Sequence, residues 1–350
     1  MIPYYLLYAY LSLNSLYSKK FSVFTGTLTF LILLIFIGFR HEIGVDWIQY
    51  LNIMYEDTYL KLIKGHEIGY NFFNWVGSEL DSIYIVNSLS AIVFLSGLFA
   101  FCKRQPYPWF TLIFAFPVLL LPVALGLTRQ SCAVGIEFFA LNAVEDQKII
   151  KAIILIIFAI TFHFSALFLL TIFIPDILKN RFKFQFVFLL AIISTLAYYL
   201  YGYFAYRLAG YNELYFTDLG HTWVSKGALP RILPSLLATL ILIFNKDKFA
   251  SVTNKISLKI YSRIGYCVLL FFVLMIYVPF KASILDRFAI YFVPITMFVF
   301  NRTMDLRLFK ISKYYYQLIF LSYYFFQSFL WLETAAHKAS FVPYKNILFF

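Results

Sequence analysis

Charged side chains are scarce in this sequence. Only 13% of its 350 residues are Asp, Glu, Lys or Arg, against roughly 25% in an ordinary soluble domain. So little charge cannot coat a chain that is 62% hydrophobic, which excludes a soluble globular fold. Cysteine is equally sparse: Cys102, Cys132 and Cys267 lie far apart and follow no metal-ligand spacing, so neither a zinc site nor a disulfide framework is supported. Nucleotide motifs are missing too. There is no D-x-D triplet to hold a metal with a sugar nucleotide, no G-x-x-x-x-G-K-[ST] and no G-x-G-x-x-G. HEIG occurs twice, at His41–Gly44 and His66–Gly69, but Val45 and Tyr70 stand where a zinc protease needs its second histidine. No cofactor and no metal is therefore expected. Residues 1–18 contain no Lys or Arg, and the first basic pair, Lys19-Lys20, follows the apolar stretch. That order reverses a signal peptide and predicts a retained first segment that starts outside.

Long apolar runs fill the space that charge leaves. LTFLILLIFIGF, Leu28–Phe39, is one of several approaching the roughly 20 residues that cross hydrocarbon as a helix. Spans are predicted at roughly 2–17, 21–39, 81–101, 107–126, 130–145, 185–206, 231–245, 264–280, 288–300 and 314–332. Polar loops run from about 40 to 80 and from about 207 to 230, both expected outside, and no segment suits a separate soluble domain. The expected fold is all-α: one membrane domain over residues 1–350, a polytopic helical bundle of about 10–12 segments. The net charge of +12 sits in short clusters between apolar segments, the pattern of orientation by positive charge rather than of nucleic-acid binding. Aromatics at 22% suit interfacial belts and a sugar-handling cleft alike.

Residues 152–174 decide the orientation. A single crossing there leaves 13 Lys and Arg inside against 16 outside, whereas entry and return gives 18 against 11. The positive-inside rule favours the second. Twenty-three residues cannot cross ~30 Å twice as straight helices, so a broken or re-entrant element is predicted, turning near Thr161–Ser165. Such backbone is tolerated only inside protein or beside a water-filled cavity.

Four polar groups then fall toward the outer face. In GFRHEIGVDWIQY, Gly38–Tyr50, Arg40 ends a span, Gly44 permits a tight turn and Asp46 follows. Arg40 could hold an anionic head group beside a carboxylate base or sugar anchor, or it could be a snorkelling arginine near a solvated aspartate. In GLTRQS, Arg129 interrupts an apolar region between Tyr107 and Val144, where an arginine usually lines a cavity or meets an anion; its place at a turn softens the penalty. His163, in FHFSAL, is either a satisfied structural histidine or an intramembrane functional group at the predicted break. Asp286 and Arg287 open a span in LDRFAIYF, as a structural ion pair or as ligand-binding groups.

The ordered set GFRHEIGVDWIQY, HEIGYNFFNWV, GLTRQSCAVGI, FHFSALF, LDRFAIYF and FVPYKNILF resembles the EpsG-like family of polysaccharide polymerases, relatives of the O-antigen polymerases (Wzy). The resemblance spans nearly the whole chain. Arg40, Gly44, Asp46, Tyr50, Glu67, Gly69, Arg129, Gln130, His163, Ser165 and Arg287 match positions typical of the family, whereas Tyr211–Trp223 matches nothing. It implies a GT-C-like architecture in a bacterial plasma (inner) membrane. It also implies transfer of a growing glycan from one undecaprenyl diphosphate onto a sugar hydroxyl of another lipid-linked repeat unit, at the outer face. The bilayer, the two lipid-linked oligosaccharides and a chain-length regulator are the implied partners.

The leaving diphosphate is already a stable anion, so the chemistry asks for cations at the phosphates and a base at the hydroxyl. Arg129, Arg287 and Arg40 are the expected clamp, with Gln130, Glu67 and Tyr50 as further substrate-binding residues. His163 or Asp46 is the expected base. Rival readings are a lipid-linked oligosaccharide flippase, for which the two similar halves of many transporters are missing, and a membrane acyltransferase, which would not explain three outer arginines. A structural membrane subunit would leave the polar residues unexplained.

Overall fold

The computed structural model describes residues 1–56, 67–173, 227–277, 282–306, 308–309 and 311–349. The span expected at 185–206, the Tyr211–Trp223 region, most of the 207–230 loop and His66 lie outside the described residues.

Among the described residues the chain is helical, and the sole β element is an isolated bridge between Arg40 and Asn346. Helix α1 (Ile2–Tyr17) takes a proline in its first turn, where the missing N–H has no helical partner to lose. Helix α2 (Val23–Gly38) opens on a capping box between Ser22 and Thr25. After the short α3 (Trp47–Tyr55) and α4 (Ile68–Glu79), the long α5 (Ile83–Arg104) begins the central layer.

Helix α6 (Pro108–Gly126) is almost wholly buried, as a helix apolar on every side must be. Its second half, Phe116–Val123, widens into π geometry around Pro117 and Pro122, because neither proline can donate to the ordinary i→i−4 ladder. Helix α7 (Thr128–Glu145) follows after one joint residue, Leu127, and packs extensively against α5. Two glycines make that contact close. A Cβ on Gly97 would lie 1.8 Å from the Gly135 carbonyl oxygen, so only the small-residue pair lets the two backbones meet.

Helix α8 (Ile149–Ile160) ends where the re-entrant turn is predicted. Thr161 Oγ1 donates to Phe158 O at 2.7 Å, and His163 N and Phe162 N both donate to Ala159 O. His163 itself is extended, with φ −154 and ψ 122. A 3₁₀ turn, Phe164–Phe168, and a short helix, Leu169–Phe173, then fold back against α8.

The remaining described α-helices of eight or more residues are α9 (Ala228–Phe244), α10 (Lys255–Tyr277), α11 (Ala282–Ala289), α12 (Val293–Leu306) and α13 (Lys313–Thr334). One continuous span expected at 288–300 is instead two helices joined by the 3₁₀ turn Ile290–Phe292, since Pro294 cannot bond back to the preceding turn. Helix α10 starts nine residues earlier than its apolar run, carrying Lys255, Lys259 and Arg263 in its first turns. Among the described residues Ile83–Arg104, Pro108–Gly126 and Lys255–Tyr277 are long and apolar enough to cross a membrane alone; four further apolar helices are shorter. The fold is a helical membrane bundle.

Helix α7 measures the bundle from end to end. Arg129 and Glu145 stand sixteen residues apart on it, about 24 Å at 1.5 Å per residue. Asn254 Nδ2 donates to Glu145 O at 2.9 Å, so the basic segment before α10 lies at the Glu145 end. Lys148 lies there too, 3.9 Å from Asp146. After the break at His163 the chain turns back from the Arg129 end, and Ile172 O accepts from Arg263 Nη1 at 2.9 Å.

The last residues strap the first loop. Tyr344 stacks on Phe36 with ring centroids 4.4 Å apart and donates from its hydroxyl to Phe36 O at 2.7 Å. Asn346 Nδ2 donates to Ile35 O, His41 N to Lys345 O, and Gly44 N to Ser340 O. Gly44 has φ +110, and a Cβ there would meet Leu125 O at 2.5 Å. Both its conformation and its neighbour therefore require glycine.

Candidate active site

Glu67 is the hub at the Arg129 end. It precedes α4, and its side chain is only 3% exposed. Arg129 Nη1 donates to Glu67 Oε2 at 2.8 Å, His163 Nδ1 lies 2.8 Å from Glu67 Oε1, and Phe164 N donates to the same oxygen at 3.2 Å. Local folding places each partner. Arg129 occupies the first turn of α7, directly after the Leu127 joint. His163 is freed from helical geometry by the break after α8. Gly69 N donates to Thr161 O at 2.9 Å, tying the start of α4 to that break.

A carboxylate that accepts from Nδ1 fixes the histidine tautomer. The other nitrogen, Nε2, then carries a lone pair, the arrangement by which an acidic partner orients a general base. Gln130 reaches across to α11, donating from Nε2 to Arg287 O at 2.6 Å. That contact brings the Arg287 backbone to the start of α7. Among the described residues the Arg287 guanidinium makes no ion pair, and it acts electrostatically on both His163 and Tyr50. Tyr50 is buried, with its ring centroid 5.7 Å from the Arg129 guanidinium carbon. Arg129 Nε and Tyr70 Oη are buried and have no hydrogen-bond partner among the described residues. Two cations, two unused donors and an oriented imidazole thus share one end of the bundle. Such a set can hold an anion and take a proton beside it.

Sequence reading treats the three arginines alike, and geometry separates them. Arg40 is 1% exposed. Its Nη1 donates to Ile37 O at 2.6 Å, its Nη2 to Thr128 Oγ1 at 2.8 Å and its Nε to Ile43 O at 3.4 Å. All three of its nitrogens donate, to the last turn of α2, to the loop and to the residue before Arg129, so it braces the start of α7. Arg40→Met should destabilise the protein by about 2–3 kcal/mol by stranding those buried acceptors. Thermal unfolding in detergent would show this as a lowered midpoint; an unchanged midpoint would count against the supporting role.

Asp46 precedes α3, half-buried, makes no side-chain cap bond and touches neither His163 nor Arg129 through any hydrogen bond described. Asp286 does not pair with its neighbour Arg287. Arg231 grips it bidentately instead, with Nε to Oδ1 at 2.9 Å and Nη2 to Oδ2. Ser165 Oγ lies 2.9 Å from the hydroxyl of Tyr291, a buried residue one turn beyond Arg287 that motif reading passed over. Thr128 was passed over likewise. Its signal was its place directly before Arg129.

The sequence profile of the EpsG family matches residues 23–346. The chain belongs to the EpsG family. Neither the curated proteins nor the solved structures hold a match to it. EpsG membership carries a polymerase-like role in polysaccharide biosynthesis, and it covers every residue of the cluster from Arg40 to Tyr291. In this EpsG chain the hub is a glutamate contributed by the second HEIG motif, which the first copy does not duplicate. Glu42 instead pairs with Lys345 at 2.5 Å, and that ammonium holds its carboxyl below the usual glutamate range.

Proposed function

We propose that this chain polymerises undecaprenyl-diphosphate-linked oligosaccharide repeat units at the outer face of a bacterial plasma membrane, as a multi-pass glycosyltransferase that needs no metal. The observation that carries this reading is the Glu67 hub, which binds an imidazole with one oxygen and an arginine with the other.

The acceptor sugar hydroxyl attacks the anomeric carbon of the donor glycan. The bond from that carbon to the phosphate oxygen breaks, and the lipid diphosphate leaves with the electron pair. His163 takes the hydroxyl proton on Nε2, while Glu67 holds Nδ1 and stabilises the imidazolium that forms. Arg287 and Arg129 meet the negative charge that grows on the leaving group. Arg129 enters already paired, so an arriving diphosphate shares its guanidinium with Glu67. Tyr50 lies against that guanidinium and Gln130 fixes the backbone at Arg287. Arg40 acts through Thr128 on the start of α7. His163 is favoured over Asp46 as the base because it alone of the two touches the hub.

The test is deletion of the gene followed by gel analysis of the surface glycan. A polymerase predicts glycan of a single repeat unit, restored to long chains by the wild-type gene. Complete loss of surface glycan would instead assign the chain to transport of the repeat unit and overturn the proposal.

A further inference from the structure

The opposite end of the bundle holds a second constellation that the glycosyl transfer does not use. A cavity of about 330 Å³ is lined by Lys20, Lys103, Arg104, Gln105, Arg302 and Asp305, with Pro106 and Val252. It lies where α5 ends and α6 begins, beside the Glu145 end of α7 and remote from Glu67. Its inner wall is firmly built. Arg302 is buried at 9% exposure, sits with its guanidinium carbon 4.0 Å from the Phe298 ring centroid, and donates to Gln105 Oε1 and, at 3.5 Å, to Glu145 Oε1.

Asp146 and Glu145 at this end pair with Arg104 and Arg302. Arg104 donates to both oxygens of Asp146, at 2.6 and 3.1 Å, and that bond holds the Asp146 carboxyl below the usual aspartate range. The Tyr107 hydroxyl donates to Asp305 Oδ1 at 2.5 Å. Lys20 and Lys103 differ. Both are exposed and neither has an acidic partner among the described residues. Two further ammonium groups, Lys19 and Lys313, stand 5.6 and 4.0 Å from the centroid of the Tyr107 ring. Four ammonium groups stand against Asp305, the one lining carboxylate among the described residues, so the rim keeps net positive charge around a cavity of head-group size.

We propose that this cavity binds the phosphate head group of an anionic glycerophospholipid from the leaflet opposite the active site. Phosphate is the chemistry that two unpaired ammonium groups and an anchored guanidinium recognise. A lipid is favoured over a soluble phosphate by the surroundings. Tyr17, Phe24, Tyr314 and Tyr315 are exposed at the same end, where aromatic side chains mark the head-group level of a bilayer. This site is independent of the reading given to the Glu67 hub.

The test uses the purified full-length protein in detergent, with native mass spectrometry for bound lipid and thermal unfolding for its effect. Phosphatidylglycerol should remain bound and raise the unfolding midpoint by several degrees, whereas phosphatidylcholine and soluble glycerol phosphate should do neither. Lys20→Gln with Lys103→Gln should weaken phosphatidylglycerol binding about thirtyfold, from the usual attraction per basic residue near an anionic surface. Neither lysine has an acidic partner among the described residues, so the double variant should fold. Lys20→Arg with Lys103→Arg keeps the charge and should keep the binding. Equal stabilisation by phosphatidylcholine, an equal response to glycerol phosphate, or undiminished binding by the glutamine variant would each overturn the proposal. So would loss of binding in the arginine variant.

Discussion

Glu67→Gln is expected to cut polymer formation by about 10²–10⁴-fold, the range over which acid–base catalysis usually acts, and to cost some stability because Arg129 loses its carboxylate partner. Glutamine fills the same volume and can still accept from Phe164 N or from Arg129, so the loop keeps its anchor. What it lacks is the charge. A neutral amide neither stabilises an imidazolium at His163 nor enforces the tautomer that leaves Nε2 free. The measurement is chain length on a gel, in a deletion strain carrying the variant at matched expression. Wild-type chain lengths would remove Glu67 from the reaction. His163→Gln should match this loss, and combining the two should add little, because residues that act as one unit do not add.

Arg287→Ala and Arg129→Ala should part company when activity and stability are measured together. Arg287 makes no ion pair among the described residues, and the hydrogen bond that Gln130 gives it ends on its backbone oxygen. Alanine keeps that bond, so stability should stay within about 0.5 kcal/mol while polymer formation falls roughly 10²–10³-fold with the loss of a charge-stabilising group. Arg129→Ala should lose comparable activity and also about 3 kcal/mol of stability, because it strips a partner from a buried carboxylate. Arg129→Lys should recover part of the stability and less of the activity, since an ammonium replaces the charge but not the planar fork. Activity profiles from the same gels and melting curves in detergent decide the matter. Equal destabilisation by the two alanine variants would contradict the absence of an ion pair at Arg287 among the described residues.

Much of the fold can be read from the residues, because hydropathy and charge act locally and additively along a membrane chain. The end of α6 and the start of α7 fall within three residues of where Arg129 interrupts the apolar run. The break at Thr161–His163 follows from a count of basic residues that a straight crossing would misplace. The split of the 288–300 segment was less visible, since the effect of Pro294 depends on whether the preceding turn is already helical.

The site is another matter. Motif order gathers Glu67, Arg129, His163 and Arg287 as a set, yet no sequence pattern says that one carboxylate joins two of them across 62 and 96 positions. Glu67 lies outside any periodic segment, so its partner is set by packing alone. Arg40 exposes the same difficulty from the other side. A guanidinium serves a phosphate or a cluster of carbonyl oxygens equally well, and only burial reveals which it has met. Asp286 has its neighbour Arg287 at hand and still pairs with Arg231, 55 positions away.

The carboxyl-terminal strap sets a timetable for the ribosome. The turn carrying Arg40 and Gly44 is sealed by backbone and side-chain bonds from Ser340, Lys345 and Asn346, some 300 positions later. Throughout synthesis that turn must wait for its backbone partners, although the bonds of Arg40 to Ile37, Ile43 and Thr128 need only the first half of the chain. A chain interrupted before Ser340 would therefore carry Arg40, Glu67, Arg129 and His163 and still lack the bonds that close this turn.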